Sequence, residues 1–445
     1  MNAFIMLQKL TESKFNKSKK NVNVFCNSNK IPFFEFRSES GIDVIISQDK
    51  SREIVTTGFL YKVGSRNELH GQKGIAHLFE HLMFQGSGNI PKMGHFKFIQ
   101  QAGGTLNAFT MADYTAYYEQ VPSHQLETCF WLESDRLYDL RLTEENLQNQ
   151  KDVVIEERMQ NYDNAPYGLA LFKLFENLMR GSSYETPTIG LPVDIKDFSL
   201  TQALEFHNNY YRPDNLIIAV SGNVEQETVE EYIGKYFSTS KSGEIPTLNL
   251  KDYIPLVEDK LEVIESNVAL PGLFIGYQLP GFDFKRNIIA DIFNELLINS
   301  TSSRLYRKLV YQKKLVTDLT SHLISWQKCA IVTQRFFYPD ISSRNIILEI
   351  FDREIESFVS GDISERELEK AKNKKLLSVF LGISTLLVKN LQALYYKFYL
   401  NDPNNINELY KIIESVTADD IVNFVNENFL NNHRYILNYI PEKKS

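Results

Sequence analysis

Three cysteines in 445 residues, Cys26, Cys129 and Cys329, are too few, too scattered and of the wrong parity for a disulfide framework. A reducing compartment is the expectation. Apolar runs of membrane-spanning length are also missing, so no membrane partner is expected. Basic residues are outnumbered by acidic ones, 48 to 56. The resulting net charge of −8, with no basic stripe, argues against nucleic acid as a partner. The first 30 residues contain no arginine, no apolar core of signal-peptide length and no small-residue cleavage site. They carry six lysines, one acid (Glu12) and many Asn and Ser. This composition reads as a solvated N-terminal extension. The expected location is the cytoplasm of a bacterial-type cell rather than the mitochondrial matrix.

What the chain does contain is enough apolar material for two domains: 43% hydrophobic residues over a length too great for one ordinary core. The order of predicted elements repeats along it. Strands at 41–47 and 54–63 precede helices at 75–84 and 95–101. Strands within 105–121 follow, then helices at 124–140, 144–160 and 201–211 and a strand at 216–222. The second half runs the same way, with strands at 261–265 and 272–279 and helices at 287–297 and 303–311. Strands within 319–337, long helices at 344–360 and 365–399 and a last strand at 435–439 complete it. The division predicted is an extension at 1–33, a first domain at 34–237, a linker at 238–258 and a second domain at 259–445. The fold class is α+β, as two tandem, similar antiparallel-sheet and helix sandwiches.

The segment GIAHLFEHLMFQGS holds His77, Glu80 and His81 on a predicted helix. Residues four apart share one helical face, so the two imidazoles can reach one metal ion. Glu80 is rotated from them by roughly 100°. It misses the metal yet can take a proton from water, the inverted form of a common zinc-peptidase motif. Catalytic zinc takes three protein ligands and keeps a fourth position open. Acidic candidates for the third ligand lie in QKDVVIEERMQNYDNAPYG, where Glu156 and Glu157 share a predicted helix.

These residues resemble the pitrilysin or insulinase family of inverted-zincin peptidases, in the branch of the processing peptidases. The resemblance rests on VGSRNE at 63–68, the His77–His81 motif and GGTLNAFTMADYTAYY at 103–118. It continues through KDVVIEER at 151–158, SYETPTIG at 183–190 and YYRPDNLIIAVSGNV at 210–224. It implies one Zn2+ per chain held by His77, His81 and Glu157, with Glu80 as general base. It also implies an edge strand where Asn107, Ala108, Phe109 and Thr110 bind an extended peptide substrate as an added strand. Family members often carry another acid seven residues before the third ligand. Here that position is Gln150, and Glu156 is the acid nearest to hand as a supporting carboxylate.

A larger departure lies in STSSRLYRKLVYQKKLVTDL, residues 300–319. The family's Arg and Tyr there, seven apart, fall on Val310 and Thr317. Arg304 and Tyr311 have the spacing in another register. The counterpart of the zinc motif in the second half is IFNEL, 292–296, with no histidine. The reading is a zinc metalloendopeptidase subunit acting on unfolded peptides or leader sequences, paired with a homologous non-zinc subunit that carries the Arg and Tyr. The alternatives are a self-sufficient homodimeric peptidase using Arg304 and Tyr311, or a non-catalytic core or scaffold subunit.

Overall fold

The computed structural model describes residues 30–241, 244–246 and 250–442. Residues 1–29 of the assigned extension, with Cys26, lie outside the described residues. Cys129 and Cys329 are buried.

The chain divides into two compact units. The first comprises Met1–Glu157, Pro187–Asn249 and Ser378–Leu409; the second comprises Arg158–Thr186, Leu250–Leu377 and Tyr410–Ser445. The first unit is built on six strands: β1 (Phe34–Arg37), β2 (Asp43–Gln48), β3 (Ile54–Tyr61), β4 (Thr105–Thr110), β5 (Thr115–Pro122) and β6 (Leu216–Gly222). Their order in the sheet is β1-β2-β6-β3-β5-β4. The second unit is built on β7 (Lys260–Ser266), β8 (Gly272–Pro280), β9 (Asp318–Ser325), β10 (Cys329–Phe337) and β11 (Arg434–Pro441). Their order is β7-β11-β8-β10-β9. With β1 set aside, the two sheets have one topology, so the repeat expected from the element order is a repeat of the fold.

Each sheet is mixed, not purely antiparallel. β2 runs parallel to β6, and β7 runs parallel to β11. In both, the last strand of the repeat returns through helices and inserts beside the first. Alternation of side chains reports burial and not the direction of a neighbour, so a sequence reading cannot see this.

The consecutive division at 34–237 and 259–445 is crossed by two exchanged segments. The helix Leu386–Leu400, late in the chain, lies on β2, β3 and β6 of the first sheet. The helix Ala170–Leu178, early in the chain, lies on β8 and β11 of the second. Each meets a glycine at the same place in its strand. A Cβ at Gly58 of β3 would stand 2.4 Å from Asn390 Oδ1; one at Gly276 of β8 would stand 2.4 Å from Leu178 Cδ1. Neither helix could sit so close over a side chain. The Asn390 amide donates to the carbonyl oxygens of Thr56 and Ala219, at 3.1 and 2.9 Å. The exchange follows from burial: β6 is buried throughout, so both faces of its sheet need cover.

Three local readings change. The long helix expected over 365–399 is two helices, Glu365–Ile383 and Leu386–Leu400, bent by 106°. The second starts at Thr385, whose side chain accepts from Val388 N–H at 3.3 Å. The helix Ala170–Leu178 and strand β1 were not foreseen. Among the described residues no single helix is long and apolar enough to cross a membrane.

Candidate active site

The helix Ile75–Leu82 carries two kinds of face. Ile75, Ala76, Leu78, Phe79 and Leu82 are buried. Phe79 packs its ring against Phe206 at 5.4 Å and Tyr211 at 4.8 Å. Leu78, Phe79 and Leu82 are fully buried, and each is worth roughly 1.5–3 kcal/mol relative to an exposed position. The inward stripe therefore fixes the rotation of the helix. His77, Glu80 and His81 are left half-buried on its other side.

The start of that helix is held by the carboxyl group of Glu68. Ala76 N–H donates to Glu68 Oε1 at 3.0 Å, in place of a capping side chain at Gly74. Burial pushes the Glu68 carboxyl up to about 8. The folded chain thus keeps a proton that the unfolded chain releases near 4.5. Its contribution to stability is complete below that value and is lost as pH rises towards about 8. Glu68→Gln keeps an acceptor for Ala76 and cannot ionise. It should flatten the fall in stability across this window, by at most ~1.4 kcal/mol per pH unit. Denaturant titrations of both proteins at several pH values check this; parallel pH profiles would remove the effect.

The helix Glu144–Arg158 supplies the third group. Leu147 and Val154 are buried on it, seven residues apart. Gln150 and Glu157, also seven apart, are half-buried on the neighbouring stripe. Glu157 Oε2 lies 3.7 Å from His77 Nε2 and 3.6 Å from His81 Nε2. Those distances are too long for hydrogen bonds. They suit three vertices of a tetrahedron: bonds of about 2.1 Å to a central ion put its ligand atoms roughly 3.4 Å apart. All three ligand atoms fall within 4.8 Å of one another. Burial pushes the His77 imidazole down to about 3, and lowers that of His81 as well. Both rings are therefore neutral at ordinary pH, with lone pairs free for a metal. The donor set, two neutral imidazoles and a carboxylate, fits zinc.

Glu80 stands beside this group. Burial pushes its carboxyl up to about 7, against a hydrogen bond from Thr110 that lowers it. Thr110 Oγ1–H donates to Glu80 Oε2 at 2.6 Å. Thr110 ends β4, which among the described residues pairs with β5 alone and stands at the edge of the sheet. Asn107, Ala108 and Phe109 lie on that edge strand, with Asn107 opposite Tyr118 and Ala108 opposite Tyr117.

The segment 43–190, which holds His77, Glu80, His81, Thr110 and Glu157, matches the description Insulinase (Peptidase family M16). Residues 197–375 match Peptidase M16 inactive domain. The chain belongs to the insulinase family of peptidases. Zinc protease PqqE of Helicobacter pylori is 30% identical to it over 88% of this chain and 89% of that protein. Mitochondrial-processing peptidase subunit beta of Caenorhabditis elegans is 23% identical over 85% of this chain and 83% of its own length. Among solved structures, a protease from Helicobacter pylori superposes with a TM-score of 0.87 at 27% identity, covering 93% of this chain and all of that one.

Within this family member, several side chains near the three convergent groups escaped the sequence reading. Gln150, at the position seven before Glu157, hydrogen-bonds His81. Glu156 is exposed and is not one of the convergent groups. A rotation of about 100° between adjacent helical residues separates it from Glu157. Burial raises the Tyr118 hydroxyl, against a hydrogen bond with Asn107 across the β4–β5 pair that lowers it, and the Glu80 carboxylate adds a smaller rise. The even spacing of 150 and 157 was the available signal for Gln150; none marked Tyr118.

The second unit holds Val310 and Thr317, on which the resemblance places an Arg and a Tyr. Val310 is half-buried, and Thr317 Oγ1 donates to the Phe337 carbonyl at 3.1 Å. Arg304 is engaged by Glu367, donates to Ser357 Oγ at 3.1 Å and lies 4.1 Å over the Phe358 ring.

Proposed function

We propose that this chain is the zinc-bearing subunit of a metalloendopeptidase that hydrolyses unfolded peptides or leader sequences. The observation that carries the reading is the convergence of ligand atoms from His77, His81 and Glu157, with Glu80 beside them. Zinc, when bound, supplies Lewis acidity towards the scissile carbonyl and lowers the pKa of water. The two imidazoles and Glu157 hold it, one ion per chain. Glu80 accepts a proton from water and delivers it to the leaving amine nitrogen. The free edge of β4, at Asn107, Ala108, Phe109 and Thr110, binds the peptide as an added strand. Backbone pairing tolerates many side chains, which suits substrates without fixed sequence.

The subunit reading draws on three facts. A relative bears the name of one subunit of a processing peptidase. The second half matches a domain described as inactive. Arg304, the in-chain candidate for a catalytic arginine, is committed to Glu367, Ser357 and Phe358. The partner is a chain of the same fold carrying the Arg and Tyr.

The reading is tested by metal analysis. Wild-type protein should hold about one zinc per chain, and His77→Ala, His81→Ala and Glu157→Ala should lose it. Full zinc occupancy in Glu157→Ala would strike Glu157 from the ligand set.

A further inference from the structure

Thr110 and Glu80 are 30 residues apart in the chain, and the Thr110 hydroxyl, together with a hydrogen bond from its backbone, holds the Glu80 carboxylate. A carboxylate carries no proton, so the hydroxyl is the donor. A separation of 2.6 Å is that of a charge-assisted O–H···O bond. The two ends of this contact differ in rigidity. Glu80 is a long side chain on the polar side of its helix, half-buried. Thr110 is β-branched, buried and sits in a strand, so its χ1 has little freedom.

The backbone that carries Thr110 is anchored from several directions. It pairs with Thr115, whose hydroxyl donates to the Val63 carbonyl at 2.9 Å. The turn after it closes through Met111 N–H to the Tyr114 carbonyl at 2.8 Å. Ser65 and Arg66 N–H donate to the carbonyls of Met111 and Ala112, at 3.3 and 3.0 Å. Asp113 in that turn is fully buried, with Arg66 at 2.7 Å and the Tyr399 hydroxyl at 2.6 Å. The fixed partner therefore orients the flexible one.

We propose that Thr110 is a positioning residue for Glu80, and that its hydroxyl holds Oε2 so that Oε1 faces the water to be deprotonated. This rests on the reading of Glu80 as general base. Thr110 keeps its own proton throughout. The proton from water goes to Oε1, and then to the amine nitrogen as the C–N bond breaks. Thr110 ends the strand whose free edge is offered to the peptide, so one rigid element sets the position of both substrate and base.

Thr110→Val deletes the hydroxyl at nearly constant shape, and Thr110→Ser restores it. Crystal structures of both variants without metal should show the Glu80 carboxylate turned away in Val and held in Ser. Hydrolysis of a peptide library by the full chain, scored against Glu80→Gln as the zero, supplies the second readout. Thr110→Val should lose roughly 10-fold in kcat, with KM and zinc content near wild type, and Thr110→Ser should recover it. An unmoved Glu80 in Thr110→Val, a wild-type kcat in that variant, or a Ser variant as poor as Val overturns the proposal. Wild-type hydrolysis by Glu80→Gln would instead defeat the base assignment, and the orientation of Glu80 in the metal-free variants would still judge the contact.

Discussion

Glu80→Gln should retain its zinc and lose turnover by at least about 100-fold. The substitution preserves the size of the side chain and leaves His77, His81 and Glu157 untouched, so the convergent group stays intact. What it removes is a carboxylate beside that group that is not itself a ligand candidate. An amide has no usable basicity at neutral pH, whereas an ionised carboxylate in the same place can accept the proton. The amide can still accept from Thr110, so packing around the site should survive. Peptide affinity should therefore remain close to wild type while kcat collapses, the signature of a group that acts only in the transition state. Zinc content by elemental analysis, thermal stability, and kcat and KM on a peptide library are the measurements. A variant with full zinc and the wild-type rate would end the proposed mechanism. Loss of zinc together with activity would move Glu80 into the ligand set.

Mixing this chain with a homologous chain that carries the Arg and Tyr should raise peptidase activity at least about 100-fold. A tetrahedral intermediate carries negative charge on oxygen, and one preorganised donor to it is typically worth about 100- to 1,000-fold. The residues on which the resemblance places the Arg and Tyr, and the in-chain substitute, are poor donors. Val310 has no polar atom. Thr317 spends its hydroxyl on the Phe337 carbonyl. Arg304 is held by Glu367 and Ser357 and stacked on Phe358, and pulling it free would break all three contacts. The chain alone should therefore bind zinc and cleave peptides poorly, and the partner alone should be metal-free and inactive. Assays of each chain separately and then together decide the matter. Full activity from this chain by itself, unchanged by a partner, would favour a self-sufficient enzyme.

The sequence by itself determined those features that depend on residues close together in the chain. His77 and His81 share a helical face because four residues make nearly one turn. The apolar stripe at 75, 78, 79 and 82 dictates which side of that helix is buried, and so which side presents the histidines. The repeated order of strands and helices was readable for the same reason, since each element has its own period. The parallel pairs β2–β6 and β7–β11 were not, because direction is a property of two strands distant in sequence. The exchange of Ala170–Leu178 and Leu386–Leu400 between the units was equally hidden: it answers to exposed sheet faces, which exist only once the sheets have formed. At the site, tertiary structure decided which of two adjacent carboxylates joins the histidines, placing Glu157 with them and Glu156 in solvent. It also set Gln150 against His81 and the Thr110 hydroxyl against Glu80. Local pattern fixes the face on which a side chain lies; the group it meets there is fixed by how distant elements pack, and the sequence carries that only through the whole fold.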